Sequence, residues 1–192
     1  MSMDINVFLN ELNDSIVPIW LEKMQELGMS CQIHPEFSFS KHSGFLPFKI
    51  NIRDHSHPAL IGKDYYAGFE FYYDDFDVNK HIKQPKQSWI DKLLRKPVPV
   101  AYFANAEIDQ RLKKCTKSTL FNFGSSDTFD LRMALLASAT LTEIAKGICW
   151  QAFSDTWPSS NTIVSQSLKE VSEYEKSLTP EQFRVHEFKG WI

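Results

Sequence analysis

The sequence predicts an α+β domain: a mostly antiparallel sheet of five or six strands, with helices packed mainly on one face. Three observations carry this. Residues 118–153 read as a strand, a capped helix, a glycine stop and a second strand. Residues 31–76 hold three stretches of partly or strictly alternating hydrophobicity joined by short turns, the pattern of an antiparallel meander. Of the 192 residues, 43% are hydrophobic, with fifteen Phe, six Tyr and five Trp, enough to bury one substantial core. Residues 1–192 therefore read as a single domain.

Taken in order, the first 28 residues read as helical. Ile5, Phe8, Leu9, Leu12 and Ile16 recur at three- and four-residue spacing, with Asp4 as the cap. Pro18 predicts a bend near Ser15–Val17 and a second helical segment that starts at the proline. That segment sends Ile19, Trp20, Met24 and Leu27 inward and stops at Gly28. Residues 31–40 alternate in part. In 45–52, Phe48, Ile50 and Ile52 alternate strictly with Lys49, Asn51 and Arg53, the mark of a half-buried strand. Residues 55–62 form a loop around Pro58. In 65–76, Ala67, Phe69, Phe71 and Tyr73 oppose Gly68, Glu70, Tyr72 and Asp74.

Residues 78–117 read as a basic surface excursion, with a short helix from Ser88 through Leu94, a strand near 98–103 and a weak helix over 106–112. Ser118–Phe123 is an aromatic-rich strand. Asp127, with Asp130 three residues on, has the form of a capping box. The helix it opens buries Leu131, Ala134, Leu135, Ser138, Leu141 and Ala145, and Gly147 ends it before a strand over 148–153. Asn161 is the expected cap of a helix through Val164, Leu168, Val171 and Tyr174, and Thr179 that of a last short helix.

The net charge of −3 argues against nucleic-acid binding by bulk charge. It is unevenly spread: residues 80–117 carry +7 and the rest −10. Cys31, Cys115 and Cys149 are odd in number and lack metal-ligand spacing, so no disulfide framework is expected. The N-terminus lacks the features of a signal peptide, and no apolar run approaches membrane-spanning length. These features point to a reduced, cytoplasmic setting.

Three groups of residues offer chemistry. Tyr72, Tyr73, Asp74, Asp75 and Asp77 interleave rings with acids, a combination that anchors and selects a basic protein partner. The plainer reading is a strand end running into an acidic turn. His55 and His57, two apart, suit one divalent metal ion, with Asp74 as a third ligand one hairpin away. The plainer reading there is a surface loop, since Pro58 places His57 in a turn. Trp150, Phe153 and Trp157 cluster at a strand end and suit a small-ligand pocket, or simple core packing. No catalytic signature stands out.

The segment from Thr140 to Phe153 (Thr-Leu-Thr-Glu-Ile-Ala-Lys-Gly-Ile-Cys-Trp-Gln-Ala-Phe) resembles a pattern in small bacterial domains, including immunity proteins of toxin systems. In those a helix ends in a Gly-Gly step and enters a strand, and a loop acid follows. Here Lys146-Gly147 stands at the double glycine and Asp155 at the loop acid. The resemblance implies a non-enzymatic binding role and needs no cofactor. The sequence-level expectation is thus a non-catalytic protein-binding module; a metal-dependent hydrolase or a small-ligand binder is the alternative.

Overall fold

A computed structural model describes residues 2–82, 101–124 and 127–191. The expected helix over 88–94 lies outside them, and the expected strand near 98–103 lies partly outside.

The described residues form seven strands and five α-helices. In chain order these are β1 (Met3–Leu9), α1 (Val17–Gln25), β2 (Met29–Ile33), β3 (Gly44–Ile52), β4 (Asp64–Asp75), α2 (Val78–His81), α3 (Ala106–Leu112), β5 (Lys117–Phe123), α4 (Thr128–Ile144), β6 (Ile148–Gln151), α5 (Ile163–Ser177) and β7 (His186–Glu187). The sheet order is β2-β3-β4-β5-β1-β6, β7 pairs with β4, and every pairing is antiparallel. This is the α+β architecture expected, with the meander in β2-β3-β4.

The N-terminus corrects the sequence reading. Met3–Leu9 is a strand, central in the sheet between β5 and β6. Ile5, Val7 and Leu9 face the main core, while Phe8 faces a second core on the other side with Phe76, Val78, Leu112 and Ile148. A strand buried on both faces loses its polar alternation, and Val7-Phe8-Leu9 becomes a continuous apolar run. The helical spacing arose by adding residues that serve different cores. Asp4 caps nothing; its carboxylate accepts from the Asn122 side chain. The bend is a 3-10 turn at Asp14–Ile16, and Pro18 opens α1. Trp20 and Met24 are buried as expected, with Trp20 Nε1 donating to Ala137 O at 2.9 Å, but Ile19 is half exposed.

Helices α1, α4 and α5 share the main core, and α2 and α3 pack on the second. Helix α4 is buried nearly all round, from Thr128 through Thr142. It stops at Lys146, which takes a φ of 52°. Gly147 serves closeness: a Cβ there would meet Phe8 O at 2.9 Å and Val7 Cγ1 at 3.0 Å. Other boundaries shift. Residues 34–40 leave the sheet, although Phe39 stays buried, its N–H donating to Asp14 Oδ1. Residues 101–105 are irregular, and β6 ends at Gln151. Thr162 is the residue before α5, where Asn161 was expected to cap. The buried stripe of α5 is Ile163, Ser167, Val171 and Glu175, so Leu168 faces out.

Candidate functional site

The acidic aromatic run occupies the far end of β4. The last pair with β3 is Gly44 opposite Phe71, so Tyr72–Asp75 run beyond β3 and, among the described residues, are laddered to β5 alone. Alternation splits the run between faces. Tyr73 packs against the main core, and its hydroxyl accepts the Leu12 N–H at 3.1 Å. Tyr72, on the other face, donates to Glu70 Oε2 at 3.2 Å. Asp74 and Asp75 are exposed, and Asp75 accepts from Lys117 Nζ at 2.6 Å, which holds its carboxyl below the usual range. Asp77 caps α2 by accepting the Asn79 N–H at 3.0 Å.

The structure does not assemble His55, His57 and Asp74. The histidines follow β3 in a bend, near the Asp64 end of β4, since Asn51 pairs with Asp64. Asp74 lies ten residues along β4, about 33 Å at ~3.3 Å per residue. Among the described residues no group of three His, Cys, Asp or Glu is placed to hold a metal ion.

His55 instead completes an ion network absent from the sequence reading. Arg132 of α4 donates Nε to Glu175 Oε1 at 2.8 Å and Nη2 to Oε2 at 2.6 Å, a bidentate pair. His55 Nε2 lies 3.1 Å from Glu175 Oε2, and its Nδ1 accepts the His57 N–H at 2.9 Å. An acceptor Nδ1 places the ring proton on Nε2, so His55 is a neutral donor to Glu175. Burial lowers its pKa: Glu175 pulls the other way, and Arg132 adds to the lowering. The Phe183 ring stands edge-on to both histidines. Two signals in the sequence announce this network. Arg132 is the one cation of α4 and is followed directly by the apolar run Met133–Ala137, and Glu175 falls four residues after Val171 on the buried stripe of α5.

Trp150 and Trp157 do meet, stacked at 5.5 Å with an interplanar angle of 11°. Phe103 stands edge-on to both, and Trp150 Nε1 donates to Asp155 Oδ1 at 3.1 Å. They rim the second core. Phe153 departs from them, 43% exposed, against Phe123. The thiols offer little reactivity: burial pushes Cys149 up to about 12 and Cys31 higher still.

Asp127 and Asp130 stand at the start of α4. Asp127 caps α4 through Oδ1 to the Phe129 N–H at 2.8 Å, while Oδ2 is buried without a hydrogen-bond partner, 3.8 Å from His186 Nε2. Asp130 makes no capping box; its Oδ1 accepts the Gly68 N–H of β4 at 3.1 Å. Burial raises Asp130 to about 6.

Comparison with protein-family models, with curated proteins and with solved structures finds no match.

Proposed function

We propose that this chain is a non-catalytic protein-binding module, immunity-like in kind, that captures a basic partner at the acidic end of β4. The observation that carries the reading is the overhang of Tyr72–Asp75 beyond β3. One side of this stretch is held by β5; the side toward β3 has no strand among the described residues. Asp74 and Asp75, adjacent on the strand, present their exposed carboxylates on its two faces, and Asp77 follows at the start of α2. Preorganised carboxylates speed encounter with a basic surface and select against an acidic one. Tyr72 adds an aromatic surface beside them.

The test replaces Asp74→Lys and Asp75→Lys together. Capture of a stoichiometric, salt-sensitive partner from host lysate should be lost, with the melting temperature unchanged, because neither residue is buried. Undiminished capture by the double variant overturns the reading.

A further inference from the structure

A cavity of ≈570 Å³ opens beside the Arg132–Glu175–His55 network. Its lining is graded from floor to rim. On the floor Arg132 is 6% exposed and directs Nε and Nη2 to Glu175, while Nη1 has no hydrogen-bond partner among the described residues. Nη1 is thus the guanidinium nitrogen left over on a side chain that lines the cavity. Guanidinium N–H groups this deep are costly to leave without acceptors. The walls include Leu27, Leu168 and Val171. At the rim stand the exposed carboxylates of Glu26 and Asp54 and the ammonium of Lys176; Glu26 already accepts from Lys23 Nζ at 3.2 Å, which leaves Asp54 as the open acid. Gly28 lines the opening at a φ of 84°, with open space where a Cβ would stand.

We propose that this cavity binds a small zwitterion of the amino-acid type, a free amino acid or a dipeptide. The carboxylate sits on Arg132 Nη1, the aliphatic side chain on Leu27, Leu168 and Val171, and the ammonium at Asp54. A simple anion would leave Asp54 unanswered, and a simple cation would leave the Arg132 donor unanswered. A molecule carrying both charges, with an apolar body between, answers floor, wall and rim together. The volume lies within the range of small-molecule sites. This site is separate from the acidic end of β4 and stands independently of the partner reading.

The experiment titrates the whole chain with four probes: leucine, dileucine, leucinamide (no carboxylate) and 4-methylpentanoate (no ammonium). Leucine or dileucine should raise the melting temperature and shift the amide resonances of Gly28 and Ser172. The two single-charge probes should bind about tenfold more weakly, as expected for loss of one charged contact. A stronger response to leucine identifies a free amino acid, and a stronger response to dileucine a peptide. Asp54→Asn, on the exposed rim, should reduce leucine binding toward that of 4-methylpentanoate. Arg132→Met with Glu175→Met removes both buried charges together and should abolish binding; if that variant does not fold, the rim variant carries the test. Silence with all four probes, or equal binding of leucine and 4-methylpentanoate, overturns the proposal.

Discussion

Lys117 and Asp75 meet at 2.6 Å on the sheet surface, and Arg132 and Glu175 meet at 2.6 Å between two helices. The side chains of the first pair are 34% and 90% exposed, those of the second 7% and 4%. The lengths are equal and the energetics differ, because water screens the first pair and is excluded from the second. A surface pair adds little to folding whatever its length. A buried bidentate pair is different: its charges have given up hydration, so removing one partner strands the other. The first pair belongs to a region free to serve recognition, the second to one that fixes how α4 and α5 meet.

The largest effect should come from breaking the buried pair. Glu175→Ala leaves Arg132 charged and unpartnered and removes the acceptor of His55. The expected loss is ~3–5 kcal/mol, read as a lower urea midpoint. Arg132→Met with Glu175→Met should stay within ~1 kcal/mol of the parent or exceed it, since apolar replacement of a buried pair is often neutral or stabilising. If the double variant is as unstable as the single, the ion pair is needed for more than mutual neutralisation, and the comparison fails.

A middle effect tests a carboxylate that lies between these extremes. Asp130 holds its proton up to about 6 in the folded protein, against an ordinary value of 3.8, with burial as the main cause and the Gly68 N–H opposing. A folded-state value above the unfolded one means that the folded state binds the proton more tightly. Stability from this group therefore rises as pH falls through 6 toward 3.8, the reverse of ordinary acid destabilisation. Asp127, His186 and Tyr66 are its charged or titratable neighbours. Asp127 is also raised and adds in the same direction. His55 is lowered, so its own contribution is lost as pH falls. Asp130→Asn keeps an acceptor for Gly68 and isolates one group: melting temperature across this window should gain less on acidification than in the parent. Parallel profiles would show that the proton is not held at Asp130.

How much of this was legible depends on how many faces of an element are buried. Strands β3 and β4 face the main core on one side and bear polar residues on the other, so period two marks them. Strand β1 faces two cores, and its pattern imitates a helix. The same applies to the sites. The exposed Asp74 and Asp75 advertise themselves as a run of acids. Arg132 and Glu175 stand 43 residues apart, and only the packing of α4 on α5 joins them. Their signal is indirect: a lone charge on each of two buried faces, each implying a partner of opposite sign. His55 was singled out for its neighbour His57, yet His57 contributes its backbone N–H to a histidine committed elsewhere.

The smallest effect is expected at the surface pair, and it bears on function as well as folding. Lys117 Nζ also lies 5.3 Å from the Tyr73 ring centroid, so Lys117→Ala removes a cation–π contact together with the ion pair. Exposure argues that the urea midpoint at physiological salt will not move measurably, and that any change at low salt will fade as salt is added. Asp75, however, loses its resident cation. If the acidic end of β4 engages a basic partner, that partner no longer competes with Lys117 for Asp75, and capture should become tighter and more salt-sensitive. A fall in stability as large as that of Glu175→Ala would dissolve the contrast between the two pairs. Unchanged stability with weaker capture would make Lys117 itself a contact, and would turn the acidic end of β4 into a surface that reads charges of both signs.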